Sequence, residues 1–326
     1  MFFSQKYVIK MKINGISRRS ELALWQTQFV AKLLESAGHE VTLSTMETVG
    51  DRNLAASIAK IGGKGVFTAE LEERILSGES DIAVHSAKDM QSTLPDGLEI
   101  IAFTKREKAH DTLVSDNPGI DLSDNGQPLR VGTSSVRRKA FLKRYYPWVK
   151  VVDVRGNLQT RIRKMRESVC DALLLAYAGV TRMGYEAMIV HEFSPDQFIP
   201  PVGQGTIAIE AAANLDKEKK VEIRNRLNHP ETEICLLAER AFLKIMNGGC
   251  SIPVFAHAVW KNGALSLKAG ITALDGSKMI SGEKKIVSLR HSDAVEAGQV
   301  LGLEVLELGG KEILAEILRE INKKPA

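Results

Sequence analysis

The stretch Leu129-Arg130-Val131-Gly132-Thr133-Ser134-Ser135-Val136-Arg137-Arg138 predicts a short strand that runs directly into a helix. Small hydroxylated residues such as Ser135 are good N-caps, so the helix should begin at Val136. The same order recurs downstream, where residues 149–154 predict a β-branched strand and Arg155-Gly156-Asn157 predicts the turn into a second helix. Successive strand-to-helix turns are typical of an open α/β sheet, which binds ligands at the carboxyl ends of its strands.

Positive charge is concentrated in this part of the chain. Residues 130–166 contain eight arginines and four lysines against the single acid Asp153, a local net charge of +11, whereas the whole chain carries only +4. Guanidinium groups and free backbone N–H groups at strand ends would form a pocket for several carboxylates or phosphates. The alternative is a solvated basic helix face or a nucleic-acid patch. A nucleic-acid surface would present its cations along an exposed helix with aromatic residues between them, whereas here Gly, Ser and Thr lead into the arginines.

Composition limits the class of protein. The 326 residues are 44% hydrophobic and 26% charged, which is typical of a soluble globular protein of two or three domains. Residues 1–11 lack a continuous apolar core, and no run approaches the roughly 18 apolar residues that span a bilayer, so we expect a cytoplasmic protein without a membrane partner. The three widely spaced cysteines offer neither a disulfide framework nor a C-x-x-C metal site, and we expect no metal.

The N-terminal third also places cations next to predicted strand ends. A strand at 13–16 ends at Ser17-Arg18-Arg19, and Ser20 is the expected cap of the helix that follows. Gly62-Gly63-Lys64-Gly65 lacks the spacing G-x-x-x-x-G-K-[ST], which argues against a nucleotide triphosphatase; Lys64 contacts either an anion or only solvent. The remaining predicted elements here are strands at 40–45 and 98–103 and helices at 53–61 and 68–76.

Asp89 is the candidate catalytic residue. Residues 81–84 predict a buried strand that delivers His85-Ser86-Ala87-Lys88-Asp89 at its carboxyl end. A carboxylate beside a lysine is usually a surface ion pair worth under about 1 kcal/mol. In an arginine-rich cleft, however, it would be an isolated acid among cations, and a site built only to hold anions would gain nothing from it.

Two segments indicate crossings between domains. The charged residues 104–111 lead into the second domain, and the Pro- and Gly-rich residues 199–205 lead to a strand at 206–210 that returns the chain to the first. We expect domain 1 at 1–105 plus 204–226, domain 2 at 106–203 and domain 3 at 227–326. The other predicted elements are a strand at 171–176, helices at 231–246, 292–308 and 311–321, and hairpin turns at 262–263 and 275–276.

Two cysteines have different predicted settings. Cys235 lies inside a predicted helix and should be a buried core thiol. Cys250 follows two glycines and precedes Ser251-Ile252-Pro253, in a loop where its sulfur can be approached from outside. The alternative for Cys250 is a small residue that fills a turn.

Over nearly the whole chain these motifs resemble the porphobilinogen deaminase, or hydroxymethylbilane synthase, family. The resemblance rests on seven motifs in the same order: Ser17-Arg18-Arg19-Ser20 before Leu22-Ala23-Leu24-Trp25-Gln26, Gly62-Gly63-Lys64-Gly65, His85-Ser86-Ala87-Lys88-Asp89, Gly132-Thr133-Ser134-Ser135-Val136-Arg137-Arg138, Arg155-Gly156-Asn157, Val202-Gly203-Gln204-Gly205 and Gly248-Gly249-Cys250.

The resemblance implies an enzyme that links four porphobilinogen molecules head to tail into hydroxymethylbilane, releasing ammonia at each step, in tetrapyrrole biosynthesis. It implies a monomer with no nucleic-acid partner and a covalent dipyrromethane cofactor, bound as a thioether to Cys250, that primes chain growth. The expected fold has three α/β domains. The first two should be similar to the lobes of type II periplasmic binding proteins, with mostly parallel doubly wound sheets, and the third should be small, with an antiparallel three-stranded sheet.

Residue by residue, Asp89 matches the catalytic carboxylate of the family. The family's carboxylate-binding positions match Arg18, Arg137, Arg138, Arg155, Arg161 and Arg182, with Ser20, Lys64, Lys88 and Ser135 as additional contacts. The chain departs from the family at Glu21, where proline is common, and at Met90-Gln91, where an aliphatic-proline pair is usual. Glutamate suits a first helical turn, so the helix should form, whereas the geometry of the loop after Asp89 stays open.

Two other functions explain part of the sequence. A non-catalytic anion-binding or sensor protein of the same bilobal architecture would use the arginines and the crossings but would leave Asp89 and the Gly-Gly-Cys loop without a purpose. A nucleic-acid-binding protein would show a steep salt dependence of association.

Overall fold

The computed structural model describes residues 10–52, 65–123, 126, 128–249 and 251–323. Within these ranges the strands form two five-stranded sheets and a three-stranded sheet. The helix predicted at 53–61, Lys64 and Cys250 lie outside the described residues.

The first lobe is built on a sheet with helices packed against it. Ser20 caps its first helix and accepts a hydrogen bond from the N–H of Ala23, as predicted from its position before the apolar run. The apolar face of that helix, which includes Val30 and Leu34, packs against the sheet. In chain order the elements are β1 (Lys12–Arg18), α1 (Glu21–Ser36), β2 (Glu40–Met46), α2 (Val49–Arg52), α3 (Ala69–Leu76), β3 (Ile82–Ser86) and β4 (Leu98–Phe103).

The second lobe repeats this plan. Its helices over 136–145 and 158–166 begin at the predicted caps, since Ser135 accepts from the N–H of Arg138 and Asn157 accepts from the N–H of Thr160. The elements are β5 (Asp111–Val114), β6 (Arg130–Gly132), α4 (Val136–Tyr145), β7 (Lys150–Val152), α5 (Leu158–Arg166), β8 (Ala172–Ala176), α6 (Tyr177–Arg182) and β9 (Ile189–Glu192).

After the return crossing the chain completes the first lobe and then forms the third domain. In that domain α8 and α9 pack together against one face of an antiparallel sheet with the order β11-β12-β13. No helix among the described residues is long and apolar enough to cross a membrane. The elements are β10 (Ile207–Ala212), α7 (Lys217–Leu227), α8 (Pro230–Ile245), β11 (Val254–Lys261), β12 (Ala264–Thr272), β13 (Met279–Ile286), α9 (His291–Val305) and α10 (Lys311–Lys323).

The two lobes share one topology, and in each sheet the strand that follows a crossing from the other lobe is inserted next to the last strand of the order. The described strands have the order β2-β1-β3-β10-β4 in the first sheet and β7-β6-β8-β5-β9 in the second. β10 and β5 are each antiparallel to both neighbours, while the other strands of each sheet run in one direction. Because β10 and β5 each follow a crossing, they enter their sheets at the edge next to the other lobe and run away from that edge. The carboxyl ends of the remaining strands therefore face the cleft between the lobes.

Both crossings are fastened to α8 by one buried carboxylate. Glu239 forms a two-pronged ion pair with Arg106 of the first crossing, at 2.7 and 2.8 Å. The same carboxylate accepts the N–H of Gly203 in the second crossing and the N–H of Ala258 in β11. Burial would lower the pKa of Arg106, but the Glu239 carboxylate raises it above its usual value, so the ion pair stays charged.

Candidate active site

Asp89 stands at the edge of a small pocket on the first lobe. It ends a short 3₁₀ turn, residues 87–89, that follows β3 directly. Ala87 and Met90 on either side are buried, whereas Asp89 is half-buried. The pocket has a volume of about 50 Å³, and its lining includes Arg18, Ser20, Gln26, Phe67, Ser86 and Asp89. The structure thus brings together the predicted residues Arg18, Ser20 and Asp89 from two neighbouring strand ends.

Arg18 is held in this pocket by an acid that the sequence did not single out. Its Nε and Nη2 atoms donate to the two carboxylate oxygens of Asp51 at 3.1 and 2.5 Å, and the guanidinium lies 4.4 Å from the ring centre of Phe67. Burial would raise the pKa of Asp51, but the bonds from Arg18 hold it below its usual value. Arg18 is therefore a fixed guanidinium rather than a mobile surface side chain.

Gln26 is a further residue of the pocket, and its sequence motif did not identify it as a site residue. It is 2% exposed, and its Nε2 donates to the hydroxyl of Ser86 at 2.9 Å. Its position carried a signal, because it lies on the buried face of α1 between Ala23 and Val30, where an apolar residue is expected. A polar residue on the buried face of an amphipathic helix near a strand end is a site candidate.

Arg137 and Arg138 lie inside the second lobe and share one acid. They are 3% and 6% exposed, and their Nη2 atoms lie 2.5 and 2.7 Å from the two oxygens of Asp111. Further bonds run from Arg137 to the carbonyl of Ile199 and from Arg138 to the carbonyl of Leu174. Burial would raise the pKa of Asp111, but the two guanidinium groups hold it well below its usual range. The cluster therefore keeps a net charge of about +1, since one carboxylate faces two cations.

Lys88 and Arg161 bring the two lobes into electrostatic contact. The side chain of Lys88 is reached by solvent in the cleft, yet the surrounding walls displace enough water, with Arg138 adding repulsion, to lower its pKa to about 8. Burial and Arg138 likewise lower the pKa of Arg161 to about 10, and Asp89 partly opposes that shift. The cations of the second lobe and the acid of the first therefore act on each other across one cleft.

The other predicted contacts are arranged around this centre. Arg155 pairs with Asp153 at 3.0 Å through its Nε, at the entrance to α5. Arg182 reaches back to the first lobe, where its guanidinium lies 5.6 Å from the ring centre of Trp25 and its Nη2 donates to the carbonyl of Gly205 at 2.8 Å. Burial lowers the pKa of Arg182 to about 10. Ser135 uses its hydroxyl as the cap of α4.

The chain is similar in sequence to one family of known proteins and in fold to several solved structures. Residues 13–220 match the family described as "Porphobilinogen deaminase, dipyromethane cofactor binding domain", and residues 233–307 match "Porphobilinogen deaminase, C-terminal domain". The porphobilinogen deaminase of Desulfosudis oleivorans is 54% identical over 310 residues, which cover 95% of this chain and 99% of that relative. That of Cytophaga hutchinsonii is 51% identical over 307 residues, which cover 94% and 97%. Among solved structures, the methionine binding protein MetQ aligns with 66% of this chain and 89% of that one, at 11% identity and a TM-score of 0.42.

Proposed function

Because the chain belongs to the porphobilinogen deaminase family, a transferase family of tetrapyrrole biosynthesis, we propose that its cleft performs the family reaction with Asp89 as the catalytic carboxylate. The reaction joins four porphobilinogen molecules head to tail into hydroxymethylbilane and releases ammonia at each step. One observation supports this assignment of Asp89 above the others. Asp89 lines a pocket with Arg18 on one lobe and acts electrostatically on Arg161 of the other.

The cations of the cleft suit a substrate that carries an acetate and a propionate group. A planar guanidinium binds a carboxylate through two parallel hydrogen bonds, and several carboxylates enter the cleft as the chain grows. We assign Arg18, with the hydroxyl of Ser20, to the substrate side of the cleft. Lys88, which precedes Asp89 in the sequence, would hold a further carboxylate. Lys64 is proposed as an additional contact because the Gly-Gly-Lys-Gly motif matches the family.

The chemistry requires a proton-transferring and charge-stabilising group, and we assign that role to Asp89. Loss of ammonia leaves an electron-poor azafulvenium ion from porphobilinogen. A carboxylate beside the pyrrole N–H stabilises that positive charge and accepts a proton as the new bond forms. The surrounding arginines carry the wrong sign for this role, which is why an acid among them is needed.

The residues of the second lobe, together with Lys88 of the first, fit a permanently bound anionic cofactor. The amine of Lys88 and the guanidinium of Arg161 are only partly compensated by protein acids, and Nε of Arg137 is buried without a hydrogen-bond partner among the described residues. When bound, dipyrromethane supplies the acceptor pyrrole to which the first substrate is joined. Its carboxylates would be held by a cationic set that we propose to comprise Arg137, Arg138, Arg155, Arg161 and Arg182, with the hydroxyl of Ser135.

Cys250 is the proposed point of cofactor attachment through a thioether. Helix α8 ends at Ile245, and residues 248–249 lead from it towards Cys250. The two other cysteines are poor candidates because Cys170 and Cys235 are buried free thiols, and burial raises the pKa of Cys235 to about 12. A thiol with such a pKa provides almost no thiolate nucleophile at neutral pH.

We also propose the domain division 1–105 plus 204–226, 106–203 and 227–326, which agrees with the placement of both crossings between the described sheets. A monomeric, cytoplasmic enzyme is proposed with it. The two buried free cysteines support a reducing compartment, since disulfides are rare there.

The test is turnover of porphobilinogen by the purified protein, followed as hydroxymethylbilane formation and ammonia release. Asp89→Asn should lower the single-turnover rate by about a hundredfold to ten-thousandfold, the usual contribution of a positioned proton-transfer group. Asp96→Asn makes the same change at an exposed position seven residues on and should have no effect. An Asp89→Asn rate above about a third of the wild-type rate would reduce Asp89 to an ion-pair partner of Lys88. Absence of product with the wild-type protein would refute the assigned reaction.

A further inference from the structure

The turn that carries Asp89 is followed by Gln91, where the related family usually has proline, and the structure gives this glutamine specific contacts. Its side-chain Nε2 donates to Oε1 of Glu72 at 3.3 Å. Glu72 lies on α3 and is 4% exposed. A proline has no side-chain donor, so this contact depends on the residue that sets this chain apart.

A second contact ties the same residue to the third domain. Nη2 of Arg240 on α8 donates to the backbone carbonyl of Gln91 at 2.7 Å. The residues that flank Lys88 and Asp89 take part as well, because Ala87 and Met90 are buried in the same apolar cluster as Ile234 of α8. The Asp89 turn is thus anchored by a side chain to α3 and by its backbone to α8.

The buried surroundings of Glu72 make its partner important. Burial raises the pKa of Glu72, and the neighbouring carboxylate of Glu210 raises it further, while the side chain of Thr68, the amide of Gln91 and His85 oppose the shift. Glu210 itself is fully buried, with Oε2 at 3.0 Å from Nε2 of His85. An amide donor at position 91 therefore satisfies an acid that has no access to bulk water.

The anchor on α8 also relates the turn to the proposed attachment point. Glu239, the neighbour of Arg240, holds both crossings through Arg106 and Gly203. The same helix continues into the loop that leads to Cys250. A displacement of Asp89 relative to α8 would therefore change its distance from whatever the loop carries.

We propose that Gln91 and Arg240 are positioning residues that hold the Asp89 turn at a fixed place between α3 and α8. The proposal rests on the catalytic role of Asp89 in the proposed function. It assigns no contact with substrate to either residue. A misplaced catalytic carboxylate lowers the rate of the chemical step but leaves the arginine–carboxylate contacts of the substrate in place, so kcat should fall while KM stays nearly unchanged.

The experiment exchanges the carboxylate of Glu72 on α3 with the amide of Gln91 after the Asp89 turn. Gln91→Glu places a second carboxylate 3.3 Å from that of Glu72, and the repulsion should move the turn. The double variant Glu72→Gln with Gln91→Glu restores an amide–carboxylate hydrogen bond with its direction reversed. Gln197→Glu makes the same substitution at an exposed position and is the matched control.

We expect Gln91→Glu to lower kcat about tenfold, with KM and the cofactor content unchanged. The kcat of the double variant should recover to within about threefold of wild type. The melting temperature of each variant separates folding defects from positioning. If Gln91→Glu does not fold, Gln91→Ala, which only removes the donor, should still lower kcat about threefold to fivefold.

A Gln91→Glu or Gln91→Ala enzyme as fast as the Gln197→Glu control would overturn the proposal. So would a slow Gln91→Glu enzyme that the exchange fails to rescue, or one whose kcat, cofactor content and melting temperature fall together, because these are marks of a structural role. Inactivity of the wild-type protein would instead refute the proposed function, which keeps the two failures distinct.

Discussion

Replacement of Asp111 by asparagine tests the charge balance of the second lobe. Asp111 begins β5, is fully buried, and gives its two oxygens to Arg137 and Arg138. One oxygen also accepts the amide of Gln204 from the second crossing at 2.9 Å. The Asp111→Asn change would keep the shape of the side chain but would leave two buried guanidinium groups without a counter-charge.

The expected cost follows from burial. Removing one partner of a buried ion pair typically costs about 3–5 kcal/mol, because the remaining charge is stranded in a medium of low dielectric constant. At about 1.5 °C per kcal/mol for a chain of this length, the midpoint of thermal unfolding should fall by at least about 4 °C. Asp116→Asn is the matched control, since Asp116 pairs with Arg166 at the exposed surface, where an ion pair contributes at most about 1 kcal/mol.

The stabilisation that Asp111 provides should depend on pH. The folded-state pKa of Asp111 lies well below its unfolded value, so its stabilisation is complete at neutral pH and is lost as the pH falls below about 4. The difference in the free energy of unfolding between the Asp111→Asn variant and the wild type should therefore become smaller in acid. An anion that binds the freed arginines, such as inorganic pyrophosphate, should restore part of the midpoint at pH 7.

Thermal unfolding of cofactor-free protein, followed by circular dichroism at pH 7 and pH 3 with and without pyrophosphate, measures all three effects. If Asp111→Asn melted within about 2 °C of the Asp116→Asn control at pH 7, the two arginines would not depend on Asp111, and the reasoning would be refuted.

Two further predictions concern the cleft. Intact-mass measurement of purified protein should show two porphobilinogen-derived units added to the chain, and Cys250→Ala should lack them while Cys170→Ala retains them; a bare wild-type mass in active enzyme would exclude the attachment. The pKa of Lys88 is lowered to about 8, and Asp89→Asn should lower it further because Asp89 raises it; binding of porphobilinogen in that background should therefore take up protons at about pH 8 and above, as a substrate carboxylate raises that pKa again. Calorimetry in buffers of different ionisation enthalpy measures this uptake, and Lys88→Arg should abolish it; equal uptake in both proteins would contradict the assignment to Lys88.

Elements with strong local signals were predicted within about two residues. The strand at 98–103 and helix α3, predicted at 68–76, have branched or periodic apolar residues with clear boundaries, and the structure confirms them. The missed elements lack such signals. β5 has only four residues; its first, Asp111, falls in the predicted crossing 104–111, and no element was predicted for the other three. Helix α7 is charged along most of Lys217–Leu227 and buries only Ile223 and Leu227, which leaves almost no apolar periodicity to detect.

The partners within the site were less predictable than its residues. The position of Asp89 after a buried strand and the caps of α4 and α5 follow from local sequence, because neighbouring residues determine them. The pairing of Arg137 and Arg138 with Asp111 spans 26 and 27 residues and depends on β5 lying next to β8. The local sequence predicts that a buried arginine is paired with an anion. Only the three-dimensional structure shows whether that anion is a carboxylate of the protein or belongs to a ligand.

Helix α8 links parts of the structure that are distant in the sequence. Two consecutive residues of this helix, Glu239 and Arg240, bond to the two crossings and to the turn that carries Asp89. Glu239 has two oxygens and accepts from Arg106, Gly203 and Ala258, so a shift of either crossing would break bonds of a fully buried carboxylate. The lobes, the turn that carries Asp89 and the loop that leads to Cys250 therefore share contacts with one helix of the third domain. In the proposed function, this is the contribution of a domain that supplies none of the proposed carboxylate-binding arginines.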